Sequence, residues 1–214
     1  MFGLYTIIVF TLVPFLFLFT QTSVVGNFSY AFANITGFIG ATLLFWEFIL
    51  GIKDLAKKIS PNPALFIKLH IILGVWGMFF VLIHPIMEML VYAERITFLF
   101  LPKFTTSFGV HLTFGRVALL LVILVWITSS FFRNKFSYKK WLGIHYLTYP
   151  MMFFVFIHAL DIGSFLNKFM LIKVYWFLLL LIYIILVIWR VVHAINVFRS
   201  HYIIVKKDSY TPLP

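Results

Sequence analysis

The sequence predicts an all-α integral membrane protein, a bundle of six transmembrane helices with both termini on the cytoplasmic side. Three observations carry that expectation. Of 214 residues, 63% are hydrophobic and 11% charged, far too apolar a balance for a soluble domain of this size. The apolar residues fall into six runs whose lengths approach those needed to cross a hydrocarbon core roughly 30 Å thick. The charges sit between the runs, and they are unequally divided between the two sides. Twelve of the 17 Lys and Arg fall in two short loops, at adjoining Lys68 and in the C-terminal tail. Five (Arg95, Lys103, Arg116, Lys168 and Lys173) fall on the opposite side. Positive residues stay in the cytoplasm, which places both termini there and agrees with an even number of spans. The net charge of +11 is therefore a topological signal and not a nucleic-acid footprint. With no cysteine in the chain, disulfides, haem thiolate and iron–sulfur ligation are excluded within it. Histidine is left as the strongest transition-metal ligand.

The first run covers about residues 4–19 and contains Pro14, which can kink it. It has little N-terminal charge and no small-residue cleavage site, so it reads as a span and not as a removable leader. A polar break at 21–27 follows, ending in an Asn27-Phe-Ser glycosylation pattern that is short and weakly specific. The second run, about 30–52, has Gly37 and Gly40 where another helix could approach closely. Residues 53–63 form a basic loop with Lys53, Lys57 and Lys58. The third run is about 67–91, followed by an aromatic and Thr-rich loop at 92–112. The fourth, about 114–131, opens with Gly115-Arg116 and leads to a second basic loop with Arg133, Lys135, Lys139 and Lys140. The fifth run is 142–161 and the sixth about 171–189. Residues 1–195 thus form one membrane domain, and 196–214 a cytoplasmic tail. In that tail His201-Tyr-Ile-Ile-Val reads as a strand, the start of a further domain.

Two runs carry paired histidines. His70 and His84 are fourteen residues apart in the third run, His145 and His158 thirteen apart in the fifth. At 1.5 Å per residue each pair is split by roughly 20 Å. A histidine within a membrane helix is costly unless partnered, and four at matched depths suit two flat cofactors stacked across a bilayer. Bis-histidine haem is the natural candidate. Odd-numbered spans run in the same direction, so the pairing is His70 with His145 at the inner face and His84 with His158 at the outer. One detail needs an adjustment. At 100° per residue, fourteen steps leave His70 and His84 about 40° apart, but thirteen leave His145 and His158 about 140° apart. Pro150 between them can kink or rewind the helix, and tilted haem planes are the other remedy.

The residues around these histidines resemble the ferric reductase-like transmembrane domain shared by NADPH oxidases, metalloreductases and bacterial relatives. The resemblance rests on His70-Ile-Ile-Leu-Gly with His84, on Gly115-Arg116-Val-Ala-Leu, and on Phe136-Ser-Tyr-Lys-Lys-Trp-Leu-Gly-Ile-His145 leading to His158. It covers roughly 41–190. It implies two haem b groups on the four histidines, and electrons passing from a cytoplasmic donor to an outer-face acceptor, ferric iron or dioxygen. Many members continue into a flavin-binding and a nicotinamide-binding domain. This sequence has no glycine-rich dinucleotide fingerprint, so FAD and NAD(P)H would act through a separate cytoplasmic flavoprotein reductase or a missing domain.

Other residues carry expectations beside plainer readings. Arg116 suits an outer haem propionate, a fork of donors meeting a carboxylate; the plainer role is an interface anchor. His111 could bind or protonate an acceptor or ligate an incoming metal, and Glu88, one turn beyond His84, could handle protons. Each could equally be a boundary residue. Gly74, Gly77 and Gly143 would clear room for porphyrin, or else serve helix packing. Trp76, Phe79, Phe80, Phe153, Phe154 and Phe156 lie between the two histidine levels and could fill the gap electrons cross, or face lipid. Arg133, Lys135, Lys139 and Lys140 precede His145 and could dock an acidic donor surface, or only set topology. Two other functions compete. One resembles the haem membrane subunit of the bacterial methionine sulfoxide reductase system, passing electrons to a periplasmic partner. The other is a non-redox metal or proton transporter using the histidines directly.

Overall fold

The computed structural model describes residues 2–20, 28–59, 62–92 and 96–208. The polar break with Asn27, Arg95, and the tail from residue 209 lie outside the described residues. Among the described residues all regular structure is helical. The elements are α1 (Phe2–Thr20), α2 (Phe28–Gly51), α3 (Lys53–Ile59), α4 (Pro63–Val91), a 3-10 turn (Ile96–Leu99), α5 (Ser107–Phe131), α6 (Tyr138–His145), α7 (Thr148–Ile162), α8 (Ser164–Lys168) and α9 (Met170–Asp208).

Five stretches are long and apolar enough to cross a membrane: Phe28–Gly51, Ala64–Val91, Ser107–Phe131, Tyr138–Ile162 and Met170–Asn196. Together they make this an integral multi-pass membrane protein. In α1 the apolar stretch that qualifies, Val9–Thr20, is shorter than a full span.

Local chemistry sets the helix starts. Asn62 caps α4, its side-chain oxygen accepting from the Ala64 and Leu65 amides at 3.0 and 3.4 Å. Pro63 occupies the first turn, where its missing N–H costs nothing. Thr106 caps α5 by accepting from the Gly109 amide at 3.0 Å.

The chain to Lys173 forms one compact unit. Within it the broadest contacts join α2 to α4 and α5 to α7. Lipid offers no hydrophobic drive for helix association, so close backbone approach through small residues supplies the packing. The α2–α4 seam shows this. A Cβ on Gly40 would lie 2.7 Å from Val81 Cγ2, and one on Gly77 2.9 Å from Leu44 Cδ2. Along α2 the seam residues are Gly37, Gly40, Leu44, Glu47 and Gly51; along α4 they are His84, Val81, Gly77, Gly74 and His70. Both series alternate steps of three and four, the 3.5-residue repeat of a supercoiled pair. Fourteen residues are four such turns. That repeat removes the 40° offset and keeps His70 and His84 on one seam.

The fifth run is not one helix. It breaks after His145, and Pro150 is the cause. Its ring excludes an N–H bond to the Tyr146 carbonyl, so the Tyr149 amide takes that oxygen instead, at 3.1 Å. The His145 carbonyl loses its helical donor and accepts the Thr148 hydroxyl at 2.9 Å. The interruption between α6 and α7 is short: Tyr146 and Leu147 stay in the helical region of φ and ψ.

The two helix pairs meet where α2 touches α7. Phe45 packs on Phe156 with centroids 6.2 Å apart, and Phe48 on Tyr149 at 5.0 Å. The second compact unit is Val174–Pro214, of which the described part belongs to α9. The stretch from His201, whose sequence reads as strand, is helical as far as Asp208. With no Gly or Pro between Gly163 and Pro212, nothing local stops the helix.

Candidate histidine site

α4 and α7 bring the four histidines together as two facing pairs, with His145 at the end of α6. The ring centroids of His70 and His145 are 6.1 Å apart with planes at 60°. Those of His84 and His158 are 6.4 Å apart at 69°.

Three of the rings are held the same way. His84 Nδ1–H donates to the Ala33 carbonyl at 2.8 Å, His70 Nδ1–H to Glu47 at 3.1 Å, and His158 Nδ1–H to His111 at 3.0 Å. The residue four positions beyond each carbonyl is a glycine: Gly37, Gly51 and Gly115. In a helix the side chain at that position stands over the carbonyl, so glycine leaves the oxygen open to a second donor. The rings take up that space. A Cβ on Gly37 would lie 2.8 Å from His84 Nδ1, one on Gly115 2.5 Å from His158 Nδ1, and one on Gly51 3.7 Å from His70 Cε1. His145 is the exception, with the Ser129 hydroxyl 3.3 Å from its Nδ1. With each Nδ1 engaged, each Nε2 is left to meet whatever lies between the rings. A carbonyl partner fixes tautomer and ring orientation in a metal-ligating histidine.

Around the His70–His145 level, Trp141 stacks on His145 with centroids 4.9 Å apart at 24°. The Arg133 guanidinium lies over Trp141 at 5.2 Å. Arg133, Lys135, Lys139 and Lys140 are all exposed. The Glu47 carboxyl reaches within 3.7 Å of His70 Nε2.

Around the His84–His158 level, Arg116 is buried on α5. It donates from a terminal nitrogen to the Leu101 carbonyl and covers the Phe98 ring at 4.9 Å. His111 Nδ1 is 2.7 Å from Asp161 Oδ2. Glu88 is partly buried one turn past His84.

The glycines divide. Gly74 and Gly77 face Glu47 and Leu44 of α2, the contacts of helix packing. Gly143 is open, with no heavy atom within 4 Å of the position a Cβ would take. The aromatics between the levels divide as well. Phe156 is buried, whereas Trp76, Phe79 and Phe153 are exposed. Gly37, Gly115, Ser129 and Asp161 escaped the sequence reading as histidine partners. A signal for one pair was present: Gly37 and Gly51 are spaced fourteen apart, as are His70 and His84.

Among the described residues no group of three or more His, Cys, Asp or Glu could hold a metal. The four histidines thus stand as two separate pairs and not as one cluster.

A helical multi-pass membrane protein with two facing pairs of histidines is the class that these observations define. The sequence matches the family described as ferric reductase like transmembrane component over residues 36–157, more than half of the chain, and the protein belongs to that family. The matched region takes in His70, His84 and His145 and stops one residue before His158. No curated protein and no solved structure matches the chain.

Proposed function

We propose that the protein carries electrons across the membrane through two b-type haems, one between His70 and His145 and the other between His84 and His158. The spacing of the paired rings carries this reading. An imidazole nitrogen bonds a metal at about 2.0–2.1 Å, and the ring centre lies about 1.1 Å behind it, so two axial imidazoles on one metal set their ring centres about 6.3 Å apart. The observed separations are 6.1 and 6.4 Å. The haem would supply the one-electron chemistry. The chain's own residues orient the ligands through Nδ1, keep water from the bundle interior and set the field around each level.

Six spans with both termini in the cytoplasm follow from the charge asymmetry and from the 19 residues of α1, about 28 Å of helix. In that orientation the His70–His145 level is inner. A cytoplasmic flavoprotein reductase would deliver electrons beside Arg133, Lys135, Lys139 and Lys140, and ferric iron or dioxygen would accept them outside. Arg116 stands near the outer level, where its buried guanidinium suits a propionate.

Haem stoichiometry tests the reading. The purified protein is expected to show a Soret band and a split alpha band on reduction, with two haems per chain by pyridine haemochrome. His84→Ala or His158→Ala should remove the outer haem, and His70→Ala or His145→Ala the inner. A colourless protein that cannot be loaded with haem would overturn the proposal. A single variant that kept both haems with unchanged spectra would overturn the pairing.

A further inference from the structure

Three of the four rings give their Nδ1 proton to a main-chain carbonyl, at 2.8, 3.0 and 3.1 Å. His145 does not. Its Nδ1 faces the Ser129 hydroxyl of α5 at 3.3 Å. Nδ1 must carry the proton if Nε2 is to bond a metal, so Ser129 Oγ is the acceptor in that contact. The neighbouring residue favours this role. A helical serine ordinarily turns its hydroxyl to the carbonyl four residues back. Here that is Val125, whose oxygen already accepts the Thr128 hydroxyl at 3.0 Å. The His145 ring is steadied separately. Trp141 stacks on it with centroids 4.9 Å apart, and the Arg133 guanidinium lies over Trp141 at 5.2 Å. Stacking fixes the plane of the ring, and Ser129 sets how strongly the Nδ1 proton is drawn away. A hydroxyl oxygen is a weaker acceptor than an amide carbonyl, and this contact is the longest of the four.

We propose that Ser129 is a positioning residue that leaves His145 the weakest electron donor of the four ligands and so raises the reduction potential of the inner level. This rests on the electron-transfer reading above and names a residue that tunes the same site. An acceptor on Nδ1–H makes the imidazole a more basic ligand, and a more basic ligand stabilises the oxidised metal over the reduced one. The carbonyls that hold His70, His84 and His158 act in that sense. The Ser129 hydroxyl acts less, so the metal between His70 and His145 takes its electron more readily than one between two carbonyl-held rings, the arrangement at the outer level. Hydrogen bonding around a ligand is one of the means by which a protein sets a haem potential. The result is an inner level more easily reduced by a cytoplasmic donor.

The test is a spectroelectrochemical titration of the whole chain in lipid nanodiscs, in which the inner wave is the one missing from His70→Ala. Ser129→Asn sets a side-chain carbonyl opposite Nδ1–H without adding charge, Ser129→Ala removes the acceptor, and Ser129→Thr keeps the hydroxyl. The inner equilibrium should shift about tenfold toward the oxidised form in Ser129→Asn, or about 59 mV for one electron. It should shift the opposite way in Ser129→Ala and hold the parent value in Ser129→Thr, with the outer wave unmoved throughout. A residue that only packs would change haem occupancy without ordering the potentials. One inner potential shared by the parent, Ser129→Asn and Ser129→Ala overturns the proposal, as does an equal shift of both waves. If Ser129→Asn cannot take up the inner haem, Ser129→Ala decides alone, and no upward shift there overturns it. A parent protein without haem bands would sink the electron-transfer reading instead. In that sample the His145 Nδ1 resonance of isotope-labelled histidine still decides the contact: displacement in Ser129→Ala supports it, and an unmoved resonance refutes it.

Discussion

Gly115→Ala is the sharpest probe of how the histidines are held. The added Cβ would lie 2.5 Å from His158 Nδ1 and 2.6 Å from Cε1, about an ångström inside ordinary van der Waals contact. The ring must retreat, and its 3.0 Å bond to the His111 carbonyl breaks as it does. Overpacking of this kind costs about 1–3 kcal/mol, and a lost buried hydrogen bond about 0.5–1.5 kcal/mol. Alanine's better helix propensity returns up to about 1 kcal/mol, so the steric terms win by about 1–3 kcal/mol. That corresponds to a loss of about 5- to 150-fold in affinity at the His84–His158 level. The same substitution elsewhere gives a graded series. Gly37→Ala, with a contact of 2.8 Å to the His84 ring, should be nearly as severe. Gly51→Ala, at 3.7 Å from His70, and Gly143→Ala, with nothing within 4 Å, should be neutral or slightly stabilising. Haem-to-protein ratio and the thermal midpoint of the detergent-solubilised protein, measured for all four, give two separate readouts. If Gly115→Ala behaved like Gly143→Ala in both, the packing of His158 against α5 would be refuted.

Two further predictions concern the inner level. Pro150→Ala allows α6 and α7 to join as one helix, which would turn His145 away from His70; the inner haem should be lost while the outer one stays, and retention of both would show that the break at Tyr146 does not depend on the proline. Neutralising Arg133, Lys135, Lys139 and Lys140 together should slow inner-haem reduction by an acidic flavoprotein in oriented vesicles and flatten its dependence on salt; an unchanged rate and salt slope would leave these residues a topological role alone.

The sequence by itself determined the membrane class, five of its six expected spans and the identity of the histidines that come together. Each rests on a local quantity: hydropathy over some twenty residues, charge between runs, and the spacing of His70, His84, His145 and His158. These survive because a bilayer imposes one length scale on every helix and leaves an intramembrane histidine few uses. Pro150 was legible as a disturbance for the same reason, since its missing N–H is a property of the residue and not of its surroundings.

Only the tertiary structure decided how the rings are held. That Ala33, Glu47 and His111 offer carbonyls, and that Gly37, Gly51 and Gly115 uncover them, depends on α2 lying antiparallel to α4 and α5 beside α7. Gly74 and Gly77 carry the same composition signal as Gly37, yet they face α2 side chains, because the facing residue is set by helix register across a seam. Asp161 was an unremarked charge at a span end until the fold placed its carboxylate on His111. Hydrogen bonds between residues as far apart in sequence as Ala33 and His84 leave no pattern in either segment alone, because each needs only a free donor, a free acceptor and the packing that brings them to 2.8 Å.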